Sequence, residues 1–327
     1  MPTPEDILFA GEKIPSPLPA VDHYAGSEKL MLKALALQQE MGPIFDLTLD
    51  CEDGARVGNE AEHAKLCAEL ILSADNRFNR VGVRIHAVTH PHWQADLEIV
   101  LSLAGRRLPF ITLPKARSAE EARRFLRRLR ELEAAYGLTN AIPAHVLIET
   151  HGALREVWRI ATLEGVESLD FGLMDFVSEH GGAIPAAAMQ SPDQFTHPLI
   201  VRAKCEIAAA AHASGIVPTH NVCTELTNAA YIENDARRAR QEFGYLRMWS
   251  IHPAQIAPLL AAFTPDAAEV ETARALLAAA REANWGPIRY AGKLHDRASY
   301  RYYRRLLERA DIHGQAGQSH ECRHRTR

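Results

Sequence analysis

Charged residues close the apolar runs of this chain in a recurring way: Leu49-Asp50-Cys51-Glu52-Asp53-Gly54, Val83-Arg84-Ile85, Ile148-Glu149-Thr150 and Phe171-Gly172-Leu173-Met174-Asp175. A charge in a buried strand is costly unless paired, so acids and an arginine that recur where such runs finish belong together at one end of a sheet or barrel. Between the runs lie amphipathic, Ala-, Leu- and Arg-rich stretches of helix length, the pattern of repeated βα units and a mainly parallel sheet. Strands are expected at 44–49, 81–85, 110–113, 144–148, 168–172, 216–219 and 246–251, with a first one at 7–10. Helices are expected near 27–40, 60–72, 93–104, 119–136, 153–162, 198–213, 224–241 and 253–262. Eight such units close an α/β fold, a (β/α)8 TIM barrel over 1–263, followed by a C-terminal helical extension at 264–312 that can act as a lid. The stretch 313–327, rich in Gly, Gln, His and Arg, is expected to be a loose tail.

The length of 327 residues suffices for one large core, and 47% hydrophobic with 24% charged residues is an ordinary globular mixture. A net charge of −4 argues against a general nucleic-acid surface. Basic runs at 123–130 and 301–309 alternate with Leu and Glu and read as solvated helix faces. Five cysteines without a CxxC pair, no apolar run long enough for a bilayer and no charged-then-apolar leader lead to the expectation of a cytoplasmic protein without structural disulfides or a zinc cage and with neither membrane nor nucleic-acid partners.

Glu149 and Asp175 end neighbouring strands and are hard oxygen donors of the kind octahedral Mg2+ accepts, with Mn2+ as its substitute. The alternative is that each caps the helix that follows. Arg84 has the planar fork to hold a substrate carboxylate, or else forms a structural ion pair with a nearby acid. Glu52 and Asp53 are placed to hold waters around the metal or to orient Arg84. Gly172 to Asp175, Met174 included, form a strand-to-helix turn whose backbone N–H groups suit an anion. Lys115 follows Leu113-Pro114; beside so many acids it reads as a charge-balancing residue rather than a Schiff-base lysine. Sixteen histidines include no HExxH pair; His86, His90 and His92 cluster after Arg84, and His151 and His180 follow the two acids, where they are candidate bases. Cys51 has no Cys/His partner at a recognised spacing and reads as a packed thiol.

These segments resemble the HpcH/HpaI aldolase and citrate lyase β-subunit family, which includes the malyl-CoA lyases, over roughly Lys29 to Ala310. Leu49 to Gly54 is similar to its LDLEDG motif, Val83 to His86 to VRIN, Leu113-Pro114-Lys115 to LPK, and Ile148-Glu149-Thr150 to ETA. Phe171 to Phe176 resembles GxxDL, and Ser250 to Ile256 resembles IHPxQ. The resemblance implies Mg2+ on Glu149 and Asp175, a 2-oxo or 2-hydroxy acid on Arg84, and aldol or Claisen-type cleavage through a metal-stabilised enolate. It further implies that Asp296, in the late segment Tyr290 to Asp296, is an acid/base on a lid shared between subunits of a homotrimer or hexamer. The chain departs from the family where His151-Gly152 replaces the Arg of ETARG, where Arg247-Met248-Trp249 stands before IHP, and where Ala298 replaces a proline. The amino-terminal pattern SxLFVPG is also missing from Ile7 to Gly11. By the resemblance, those changes fall at the end of the site where the family's CoA-dependent members recognise a thioester.

The expected protein is therefore a carbon–carbon lyase of the citrate lyase β-subunit type, acting on such an acid or its acyl-CoA adduct. Its catalytic residues are Asp296, Glu52 and Asp53, its substrate residues Arg84, Gly172 and Met174. Two alternatives stand beside it: a CoA-independent 4-hydroxy-2-oxo acid aldolase, and a non-catalytic dicarboxylate-binding subunit.

Overall fold

The computed structural model describes residues 3–324. The chain divides into two units, Leu18–Phe263 and a second one built from the residues up to Pro17 and those from Thr264 onward.

In the first unit eight strands form a closed parallel barrel: β1 Val21–Ala25, β2 Asp46–Asp50, β3 Val81–Arg84, β4 Ile111–Leu113, β5 Ala144–Ile148, β6 Val166–Phe171, β7 Val217–His220 and β8 Arg247–Ser250. β8 pairs with β1, Val21 opposite Met248 and His23 opposite Ser250, which completes the TIM barrel. Helices connect the strands, among them Glu28–Met41, Glu60–Leu72, Trp93–Ala104, Ala119–Ala135, Pro198–Ala213, Ala229–Phe243 and Pro253–Phe263. The helix expected at 153–162 is two short ones, His151–Arg155 and Val157–Ala161, with Glu156 between them.

Period-two alternation explains how polar residues enter this barrel. In β2, Leu47 and Leu49 alternate with Asp46, Thr48 and Asp50, and all five are buried. Two of the polar three meet partners from β1 and β8: Thr48 Oγ1 donates to Asp22 Oδ1 at 2.8 Å, and Arg247 Nη2 to Asp46 Oδ2 at 2.5 Å. The leucines point the other way, toward the helices.

The first strand is not where the sequence suggested. Residues 7–9 belong to a helix, Pro4–Phe9, which Ala10 caps, started by Pro4 in its first turn and a capping box in which Thr3 and Asp6 satisfy each other's backbone N–H. Leu8 and Phe9 bury themselves with Leu276, Ala280 and Tyr300, so the first residues group with the C-terminal helices and not with the barrel. The true β1 escaped notice because Asp22 and His23 interrupt its apolar run. It ends at Gly26, where a Cβ would stand 2.2 Å from the carbonyl oxygen of Gly54. Only glycine lets the β1 and β2 loops pass that closely.

The second unit contains the helices Ala267–Glu282 and Arg297–His324, with a hairpin of β9 Ile288–Tyr290 and β10 Lys293–His295 that the sequence reading lacked. Helical backbone extends past His313, where a loose tail was expected, and residues 325–327 of that tail lie outside the described residues. Among the described residues no helix is long and apolar enough to cross a membrane.

Candidate active site

Because all eight strands are parallel, β2, β3, β5 and β6 deliver their closing charges to the same rim of the barrel. Arg84, the last residue of β3, grips Asp50, the last of β2, at two points: Nε donates to Oδ1 at 2.7 Å and Nη2 to Oδ2 at 2.6 Å. Its Nη1 stands 3.2 Å from Glu52 Oε2. Asp50 also accepts from the backbone N–H of Glu52 at 3.0 Å and of Gly54 at 2.8 Å, so one carboxylate shapes the loop and aims the arginine. Burial pushes the Asp50 carboxyl up, but the charge and hydrogen bonds of Arg84 outweigh it and hold it below the usual range. The guanidinium lies over the Tyr24 ring, 5.0 Å from its centroid, and Tyr24 stacks on Trp249 at 4.2 Å. The structural ion pair is thus present, with Asp50, a residue to which the sequence reading gave no role. Of five guanidinium N–H groups, two go to Asp50 and one faces Glu52, which among the described residues leaves one on each terminal nitrogen for a ligand.

Lys115 sits in the left-handed backbone region, φ 49°, at the end of the β4 loop. That turn aims its N–H at Glu149 Oε1, 2.6 Å away, while Nζ contacts Glu52 Oε1 at 2.6 Å and both Asp53 oxygens at 2.8 Å. Asp175 Oδ1 is 3.9 Å from the same ammonium. The side chain acts as the charge-balancing group that its position suggested, and these acids overcome burial to raise its pKa.

Glu149 is fully buried, and burial first and the Asp175 charge second push its carboxyl up to about 8. Gly172 makes this possible, since a Cβ there would lie 2.3 Å from Glu149 Oε2. The Gly172 N–H is spent on Ile148 O at 3.2 Å, so this residue serves by lacking a side chain and not by offering its amide to an anion. Met174 is exposed on the short helix Leu173–Ser178, beside Asp175. The rim therefore holds five carboxylates, of Asp50, Glu52, Asp53, Glu149 and Asp175, against the two cations of Arg84 and Lys115. Among the described residues Glu149 Oε2 makes no hydrogen bond, and a buried hard oxygen donor whose pKa is raised by a second carboxylate beside it suits a divalent cation such as Mg2+.

Asp296 belongs to the second unit, exposed, with Oδ1 accepting from the Ala298 N–H at 3.0 Å at the start of the last helix. His86 is held by Asp96, Nδ1 to Oδ2 at 2.6 Å, and stacks on His90 at 4.1 Å. His151 and His180 meet edge to face at 4.4 Å. Asp50, Tyr24 and Asp96 were the residues missed. Asp50 stood in plain view inside the acidic motif, whereas Tyr24 and Asp96 join the site through a strand and a helix whose partners no spacing announces. A separate cavity of about 430 Å3, lined by Arg106, Leu108, Asn140 and Pro143, precedes β4 and β5 at the opposite rim and contains none of these acids.

The model of the HpcH/HpaI aldolase/citrate lyase family matches residues 26–253. The chain is similar to a crystallised citrate lyase from Burkholderia xenovorans, with 56% identity, 96% of this chain and 97% of that one covered, and a TM-score of 0.87. It is 27% identical to the L-malyl-CoA/beta-methylmalyl-CoA lyase of Cereibacter sphaeroides over 278 residues, 81% of this chain and 87% of that protein. The fold is shared with a Mycobacterium tuberculosis CitE structure that contains magnesium, acetoacetate and coenzyme A, with 21% identity, a TM-score of 0.68 and coverage of 90% and 98%.

Proposed function

The chain belongs to the HpcH/HpaI aldolase/citrate lyase family and is a carbon–carbon lyase, and from that premise we propose that it reversibly cleaves a 2-hydroxy or 2-oxo acid, or its acyl-CoA adduct, with Mg2+ or Mn2+. The observation that carries this reading is the pairing at one rim of a buried, charge-strained Glu149 beside Asp175 with an Arg84 that keeps two N–H groups free among the described residues. One end suits a cation and the other a carboxylate. A divalent cation held by Glu149 and Asp175 would supply Lewis acidity toward the oxygens of the bound acid.

The remaining work falls to the chain's own residues. Arg84, locked by Asp50, orients the substrate carboxylate, and Lys115 keeps Glu52 and Asp53 in place around it. Cleavage removes the hydroxyl proton, sends the carbon–carbon bonding pair to the leaving fragment as an enolate, and ends when that carbon takes up a proton; condensation runs the same steps backward. Asp296 has Oδ2 available for such a transfer, and this reading includes a trimer or hexamer in which it serves a neighbouring copy. The thioester form of the substrate is supported by the coenzyme A of the Mycobacterium tuberculosis structure and by the malyl-CoA lyase likeness.

Malyl-CoA, citramalyl-CoA and citryl-CoA in one series and free 4-hydroxy-2-oxo acids in another, each with Mg2+ and then with EDTA, test the proposal. Metal-dependent cleavage of a thioester is expected. Cleavage of free acids alone would transfer the protein to the CoA-independent aldolases, and binding without turnover in both series would contradict the enzymatic reading.

A further inference from the structure

Behind the acidic loop lies a cluster that the lyase chemistry does not use. Cys51 follows β2 directly, and His63 and Cys67 stand four residues apart on the helix Glu60–Leu72, hence on one face of it. The two sulfurs and a ring nitrogen of His63 lie within 4.8 Å of one another. The Cys51 and Cys67 sulfurs are 3.6 Å apart and both are buried, while His63 is half-buried and reaches solvent. His63 Nε2 donates to the Asp50 carbonyl oxygen at 2.8 Å, a backbone bond of the sort that orients a ligating imidazole.

The spacing of the sulfurs distinguishes two uses. A disulfide would bring them to about 2.05 Å, whereas two thiolates on a tetrahedral cation at about 2.3 Å stand roughly 3.8 Å apart. The observed 3.6 Å, across which the Cys51 thiol donates to the Cys67 sulfur, excludes the first and lies close to the spacing the second requires.

We propose that Cys51, His63 and Cys67 bind a thiophilic divalent cation of the Zn2+ type, water supplying the fourth ligand, and that this ion fastens the end of β2 from which Asp50 holds Arg84. Both thiol protons leave on binding, so the two thiolates neutralise the cation inside the protein. Soft sulfur and imidazole donors and the hard carboxylates of Glu149 and Asp175 select different ions, so the two sites do not compete.

The test uses the full chain, dialysed against Mg2+ buffer, then analysed for zinc and titrated with Co2+ as a spectroscopic probe. The expected result is about one zinc per chain and a thiolate-to-cobalt charge-transfer band, with affinity lowered by at least roughly 100-fold in Cys51→Ser and His63→Gln. Cys205→Ser, at an exposed position, should leave both unchanged. Absence of zinc and of the band in the wild type, a band that persists in the variants, or a Cys51–Cys67 disulfide found by peptide mass in freshly purified protein would overturn the proposal. His63→Gln decides the matter should Cys51→Ser fail to fold, because the half-exposed ring can be exchanged without opening the core. The readout is independent of turnover, so failure of the lyase reading would leave it intact.

Discussion

Strand β2 carries an aspartate at each end, and each aspartate holds an arginine, with opposite consequences. Asp46 opens the strand and takes Arg247 from β8 at 2.5 Å; Asp22 lies 3.4 Å from the same guanidinium, and all of it is sealed. Asp50 closes the strand and takes Arg84 from β3, but here the segments that follow β2, β5 and β6 add further acids at an open rim, and the one after β4 adds Lys115. In the closed interior the pair is a strut, and Arg247 Nε and Nη1 find no hydrogen-bond partner among the described residues. At the rim the same pairing leaves donors and surplus negative charge for ligands. Position along a parallel strand, more than residue type, decides between the two.

The sharpest way to separate the two regions is to delete a buried charge from each. Glu149→Gln should lower turnover at least roughly 1,000-fold through loss of Mg2+, yet keep or raise the melting temperature, since the buried carboxylate is strained without a cation. Arg247→Met should do the reverse in kind, costing about 3–5 kcal/mol of stability because buried Asp22 loses its guanidinium neighbour and Asp46 keeps only the partly exposed Arg80 at 3.1 Å. Chemical denaturation of both variants checks the contrast, and equal destabilisation would erase it. Asp50→Asn weakens the grip on Arg84 and should raise KM for the acid by roughly 10- to 100-fold, with a smaller change in kcat; an unaltered KM would show that Arg84 needs no anchor.

The smallest effect is a slope in pH. Burial raises Asp22 from 3.8 to about 7, so the folded protein keeps a proton that the unfolded chain releases between those values. The stability this contributes is fully present below about 3.8 and is lost as pH rises through about 7. Asp22→Asn should remove that slope, at most about 1.4 kcal/mol per pH unit, and gain relative stability at pH 8. A wild type whose stability does not respond to this substitution across the window would mean that Arg247 keeps Asp22 ionised throughout.

Much of this was legible from the chain alone. The barrel and its rim could be read because Asp50, Arg84, Glu149 and Asp175 each terminate a recognisable apolar run. β1 could not, since its residues Asp22 and Tyr24 find their partners on β2 and β8, which flank it in the barrel but lie farther off in sequence, and leave no apolar run to see. The helix Pro4–Phe9 looked like a strand because its apolar residues are consecutive, and its true partners lie some 270 residues away at Leu276 and Tyr300. The pairing of Arg84 with Asp50 was open for a related reason: several acids sit within reach in sequence, and only the β2–β3 register, Asp50 opposite Arg84, selects one.

The most direct measurement is a calorimetric titration of Mg2+, in the presence of a 2-oxo acid, into the wild type and Glu149→Gln. One saturable Mg2+ site in the wild type, absent from a variant that melts at or above the wild-type temperature, is the predicted result. Equal binding by the two proteins would contradict the assignment of the rim as the metal-dependent lyase site.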